Sequence, residues 1–195
     1  MSASLPSCSA PARLHATTRK KTCRWIWIMP KAVSNASPII HLSKIGQLEL
    51  LREFHREVLI PPAVLREVIE QGQGYPETPL IERAVQDGWL QQKPLQDENL
   101  ASLLKLYLGA GEAEAIALAV QEQPDVLLLD DSEARLVARQ MNLRVTGVVG
   151  VLIRAKQEKK IPSLKEALER LRSEAGFWLA DHFVQRVLQV VGEEE

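Results

Sequence analysis

From Lys31 onward, short apolar runs rich in β-branched residues alternate with longer stretches of helical periodicity, and this alternation limits the chain to few architectures. The strand candidates are Ala32–Ser34, Val58–Ile60, Val126–Leu129 and Arg144–Thr146, with Trp89-Leu90 as a weaker fifth. Between them the helical pattern covers 38–53, 62–71, 80–87, 99–107, 112–122, 132–141, 148–159, 163–173 and 181–191. Ser37-Pro38 and Pro61-Pro62 put proline where a first helical turn tolerates it. Asp131 or Ser132 suits a helix cap, and Ser163 with Glu166 has the capping-box spacing. Strand and helix in turn predict a three-layer α/β/α domain with a central, mainly parallel sheet. A chain of 195 residues is long enough for one such domain plus a tail.

The tail is the first 29 residues. Residues 1–28 hold Arg13, Arg19, Lys20, Lys21 and Arg24 and no acid, with Ser, Ala, Thr and Pro filling most of the rest. Trp25-Ile26-Trp27-Ile28 is too short for the apolar core of a signal peptide. Residues 1–29 therefore read as a disordered basic tail or a mis-assigned start, with Met29 as the true one, and 30–192 as the domain. Removing the five basic residues leaves 19 basic against 25 acidic residues, so the body carries about −6.

Composition excludes several classes. A formal charge of −1 excludes coating of nucleic acid by bulk positive charge, though not a local basic patch. The apolar runs are far too short to span a bilayer, so no membrane partner is expected. Cys8 and Cys23 are the only cysteines, too few for a disulfide framework or a cysteine zinc site, and a reducing, cytoplasmic setting follows as the simplest expectation.

Open α/β sheets bind ligands beyond the carboxyl ends of their strands. There the first strand is followed by Asn35-Ala36-Ser37 and the most apolar strand by Asp130-Asp131-Ser132. A third polar group opens the small-residue helix after Gly109-Ala110-Gly111, where Glu112 and Glu114 lie in the first turn. Glu67 follows Pro61-Pro62 on a helix beside Val64 and Val68. Taken singly, each acid has a plainer reading: Asp130-Asp131 as a cap, Glu112 and Glu114 as acids favouring the helix dipole, Glu67 as part of a solvated face. Taken together, one carboxamide and several carboxylates would meet on one edge without histidine or cysteine. Such oxygen-only sets suit Mg²⁺ or Mn²⁺, and those metals activate water and neutralise phosphoryl oxygens. The chemistry implied is metal-assisted phosphodiester hydrolysis. His15, His41, His55 and His182 show no ligand spacing, no phosphate-binding loop of Walker type is present, and Gly-Ala-Gly at 109–111 lacks the third glycine of a dinucleotide fingerprint. A receiver-like or ligand-binding domain using Asp130-Asp131 would want a lysine after the last strand, and Thr146-Gly147-Val148 supplies none.

Phosphate contact needs cations. Arg135 and Arg139 lie four apart on the helix beginning beside Asp131, while Arg154, Lys156, Lys159 and Lys160 form a second cluster that reads equally well as an ion-paired surface. No aromatic residues interleave with these cations. Near the C-terminus, Phe183, Val184, Val187, Leu188 and Val191 form an apolar face fit to cover the core or to seam a dimer.

Four segments in order carry a resemblance: Val33-Ser34-Asn35-Ala36-Ser37-Pro38-Ile39-Ile40, Leu59-Ile60-Pro61-Pro62-Ala63-Val64, Gly111-Glu112-Ala113-Glu114-Ala115-Ile116-Ala117-Leu118-Ala119, and Leu128-Leu129-Asp130-Asp131. Over residues 30–190 or so the chain resembles the PIN-domain superfamily, and within it a prokaryotic subfamily related to the toxin nucleases of type II toxin–antitoxin modules. The resemblance implies a Rossmann-like fold, Mg²⁺- or Mn²⁺-dependent cleavage of RNA, an antitoxin protein as partner, and a homodimer. It assigns the acidic site to Asn35, Glu67, Glu112 and Asp131, with Asp130 a rival to Asp131 as metal ligand and Ser37 as the hydroxyl neighbour on the substrate side; Arg135 and Arg139, by their spacing, are the candidate substrate cations. The family's nucleases typically carry Asp where this chain has Asn35. An amide oxygen still ligates a cation but brings no charge, so the alternative reading is a catalytically weak module that binds RNA or protein.

Overall fold

The computed structural model of the chain describes residues 30–193, so the expectation for residues 1–29 lies outside the described residues. Five strands, β1 (Lys31–Ser34), β2 (Glu57–Ile60), β3 (Leu90–Gln92), β4 (Val126–Leu128) and β5 (Val145–Thr146), form one sheet in the order β3-β2-β1-β4-β5. Every pairing is parallel. The central strand β1 aligns Ala32 with Val58 on one side and with Val126 on the other.

The pleat sorts the strand residues into two cores, because successive side chains point to opposite faces. Ala32, Val58, Ile60 and Leu128 face one core, and Val33, Leu59, Leu127 and Leu129 face the other. The helices in chain order are α1 (Ala36–Lys44), α2 (Glu49–Phe54), α3 (Pro62–Leu65), α4 (Thr78–Gln86), α5 (Asn99–Leu104), α6 (Ala110–Glu122), α7 (Ser132–Gln140), α8 (Val148–Gln157), α9 (Leu164–Ser173) and α10 (Asp181–Val191). Residues of α1, α2, α4, α8 and α9 fill the first core, and residues of α6 and α7 fill the second. With both faces covered, the strands tolerate continuous apolar runs. The three-layer α/β/α architecture expected from the alternation is the one observed.

Several local details differ from the sequence reading, among them α5 ending at Leu104 where a helix to 107 is expected and β4 ending at Leu128 where a strand to Leu129 is expected. The single helix expected over 38–53 is two, because Gly46 takes a left-handed conformation (φ +67°) and the Gln47 N–H closes back on the Leu42 carbonyl at 2.7 Å, a glycine stop that ends α1. The helix expected over 62–71 changes into a π-helical turn at Arg66–Glu70. Arg144 lies outside β5, although its carbonyl still accepts the Leu127 N–H. Helix α10 uses its apolar face largely on the core: Val187 is buried, with Val184, Leu188 and Val191 packed around it, while Phe183 stays 40% exposed. No helix among the described residues is long and apolar enough to cross a membrane.

At the far end of the chain, the Glu193 carboxylate accepts the Lys165 N–H at 2.8 Å and the Leu164 N–H at 3.0 Å at the start of α9, and pairs with Lys156. Burial opposes its ionisation, but these donors outweigh it and hold its pKa at about 2. The chain winds from β1 outward through β2 to β3, then crosses back to place β4 on the other side of β1. The connections leaving β1 and β4 therefore part in opposite directions and open a crevice at their carboxyl ends, which is where α/β sheets bind ligands.

Candidate active site

Asn35 is the first residue past β1 and the N-cap of α1. Its backbone N–H donates to the Leu128 carbonyl at 3.0 Å, which pins the end of β1 to the end of β4. Its side chain lies in the crevice, 2% exposed, and Nδ2 donates to Glu112 Oε1 at 2.8 Å. A carboxylate only accepts hydrogen bonds, so the amide nitrogen must face Glu112. Oδ1 therefore points the other way, buried and without a hydrogen-bond partner. Such an atom is costly to bury, and its presence asks for a ligand or water.

Glu67 and Gly111 stand on that other side. A Cβ at position 111 would sit 2.8 Å from Asn35 Oδ1 and 3.0 Å from Glu67 Oε2, so only a glycine lets both oxygens approach one spot. Glu67 is carried by the π-helical turn, a feature common at functional sites. Partial burial pushes its pKa above the ordinary 4.5, and the negative charge of Glu112 adds to the push. Glu112 itself lies in the first turn of α6, with Oε2 against Gly109, where a side chain at 109 would collide with it.

On the far side of Glu112 a cleft of about 240 Å³ is lined by Tyr107, Leu108, Gly109, Glu112, Asp131 and Glu133. Asp131 caps α7 through Oδ1, which accepts the Ala134 N–H at 2.8 Å, and stands exposed on the cleft. Asp130 is spent differently. Its Oδ1 accepts the Val148 N–H at 2.8 Å, and its Oδ2 meets the Ser37 hydroxyl at 3.3 Å and His41 Nδ1 at 3.4 Å. Asp130 thus ties β4 to α8 and α1, leaving Asp131 as the acid that looks into the cleft. Glu114 is an anchor as well: Oε2 accepts the Ala63 N–H at 2.9 Å and Oε1 pairs with Lys105 at 2.8 Å.

Among the described residues, no three His, Cys, Asp or Glu side chains close into a ready cation cage. The acids meet in pairs, Glu67 beside Glu112 and Glu112 across the cleft from Asp131. The donors are carboxylate and amide oxygens with an orphaned acceptor among them, and this set fits Mg²⁺ or Mn²⁺, hard cations that keep several waters of their own. Of the two arginines assigned to substrate, Arg135 brings Nη1 to within 3.2 Å of the Cβ position at Gly147, where Asp130 also converges, and Arg139 is exposed one turn further on. The second basic cluster is engaged elsewhere: Arg154 lies over the Phe54 ring at 4.2 Å, Lys156 pairs with Glu193 and Lys160 with Glu53 at 2.6 Å.

Sequence reasoning missed His41. The spacing of Ser37 and His41, one helical turn apart, carried the signal, since it sets both on one face of α1 beneath Asp130, with the Phe177 ring edge-on to the histidine at 4.8 Å. A family model described as a PIN domain matches residues 31–193, essentially the whole described chain. No curated protein is significantly similar to the chain.

Proposed function

The chain belongs to the PIN-domain family, and from that premise we propose a metal-dependent ribonuclease of toxin–antitoxin type, hydrolysing RNA phosphodiester bonds with Mg²⁺ or Mn²⁺. The observation that carries the reading is the buried, unpartnered Oδ1 of Asn35, held beside Glu67 Oε2 by its own bond to Glu112. Asn35, Glu67, Glu112 and Asp131 would hold the cation; a bound divalent ion supplies Lewis acidity and a more acidic water. Glu67, whose pKa burial and then the charge of Glu112 hold above the ordinary carboxylate value, is suited to take a proton from a water at the site. Glu112 is oriented by Asn35, so its free edge stays turned to the cleft. Arg135 and Arg139, on the helix that begins beside Asp131, would supply the cations for phosphate contact.

An antitoxin partner and a homodimer belong to the same proposal. Phe183 and Val190 on α10, 40% and 67% exposed, are apolar residues suited to such contact. The second reading, a catalytically weak RNA- or protein-binding module, is favoured by Asn35 itself, which brings no charge to a cation. Incubation of the full chain with structured and single-stranded RNA separates the two. The nuclease reading expects cleavage that EDTA abolishes, Mn²⁺ restores and Glu112→Gln eliminates. Intact RNA under Mn²⁺, or cleavage that survives EDTA, overturns it.

A further inference from the structure

The chain contains two tyrosines, 32 positions apart in sequence, and the fold brings both to the acidic crevice. Tyr107 is 76% exposed and lines the cleft that Glu112 and Asp131 share. Tyr75 is 58% exposed and lines a second groove, about 270 Å³, together with Glu67, Lys44 and Gln71. Glu67 lines one groove and Glu112 the other, and the charge of Glu112 acts on Glu67. One tyrosine therefore flanks each side of the acids.

The fold gives no reason for either ring. Neither belongs to the two cores, and among the described residues neither hydroxyl makes a hydrogen bond. Exposed aromatic side chains beside a phosphate-cutting centre serve bases well, because every base has a π-face and stacking needs no sequence match. A paired duplex keeps its bases stacked on each other and offers none to a tyrosine. Resting on the nuclease reading above, we infer that Tyr75 and Tyr107 are positioning residues that stack on bases flanking the scissile phosphate, so that the strand enters along one groove and leaves along the other.

The test is binding of a single-stranded RNA carrying 2-aminopurine to the full chain in EDTA, where cleavage does not intrude. Stacking quenches the 2-aminopurine fluorescence. Tyr107→Ala and Tyr75→Ala should each weaken binding roughly 5- to 150-fold, the range expected for losing one base–aromatic stack. Tyr107→Phe and Tyr75→Phe should bind as the parent chain does, and a fully paired duplex should bind more weakly and respond to none of the four. Both rings are exposed, so all variants should melt with the parent. Failure of the parent chain to bind, or Ala variants that bind as tightly as the parent, overturns the inference; the second result would point to a protein-docking role instead. The two readings fail separately. A chain that binds through its tyrosines but does not cut under Mn²⁺ sinks only the nuclease, and a chain that cuts with KM unchanged in both Ala variants sinks only the stacking.

Discussion

The Asn35 amide donates to the Glu112 carboxylate at 2.8 Å, so the one uncharged residue of the candidate site is also the one that holds its neighbouring acid in place. In the metal-free protein this replaces a repulsion between two carboxylates with a hydrogen bond to a charged acceptor, an interaction worth about 1.5–3 kcal/mol. In the proposed site Asn35 would exchange affinity for the cation against stability without it.

Asn35→Asp should reverse that exchange. Without metal the variant should melt lower than the parent, because a second carboxylate then stands buried against Glu112. With Mn²⁺ it should gain more in melting temperature than the parent does, and it should cut faster at limiting metal. At an effective dielectric near 20, one added charge about 4 Å away is worth on the order of 4 kcal/mol before solvent offsets most of it. Equal Mn²⁺ shifts in the two proteins would mean that residue 35 does not face the cation.

Glu67 gives a pH signature. Its folded-state pKa is raised, chiefly by burial and then by Glu112, so the fold favours its protonated form. The stability this confers is fully present below the unfolded value of 4.5 and is lost as pH rises through the folded pKa. Ionised Glu67 is therefore a net cost at neutral pH. Glu67→Gln should raise the melting temperature slightly at neutral pH, match the parent near pH 4, and lose the stabilisation by Mn²⁺. Thermal melts at the two pH values, with and without the metal, read all three.

Gly111→Ala tests the close approach directly. Its new methyl group would stand 2.8 Å from Asn35 Oδ1 and 3.0 Å from Glu67 Oε2, tighter than an unstrained contact allows. Since Gly111 is helical in α6, alanine there is otherwise mildly favourable. Activity and Mn²⁺ binding should fall at least tenfold while the circular dichroism spectrum is unchanged. Full activity would show that those oxygens do not act together.

At the opposite end of the sheet, His55 predicts the acid limb of the stability profile. Burial, with help from the charge of Arg154, lowers its pKa from 6.5 to about 4, against smaller opposing effects of the Pro30 carbonyl and Asp125. The neutral imidazole is the folded form, so stability is present above pH 6.5 and drains away as pH falls toward 4, by at most about 3 kcal/mol. His55→Phe should flatten that limb in a series of urea titrations across the window.

Much of the fold was legible because β1, β2 and β4 are buried on both faces and write themselves as apolar runs bounded by turn residues. The break in the first helix was also written, in Gly46, but a lone glycine inside a helical pattern does not say whether it stops the helix. In the candidate site, the resemblance set Glu112 above Glu114, and Glu114 is spent on the Ala63 N–H and Lys105. Asp130 and Asp131 were not separable, since adjacent residues differ only in direction, and direction depends on Ser37, His41 and Val148 arriving from other elements. The tyrosines were illegible for the same reason. Tyr107 precedes Glu112 by only five residues and Tyr75 follows Glu67 by eight, but spacing along the chain does not say which way either ring points.

The central claim, that Asn35, Glu67, Glu112 and Asp131 form a divalent-cation site, is tested most directly by calorimetric titration of Mn²⁺ into the full chain and into Glu112→Gln. Saturable binding by the parent, weakened at least tenfold in the variant with its fold intact, is the predicted result. No saturable heat in the parent, or equal affinity in the two proteins, would contradict it.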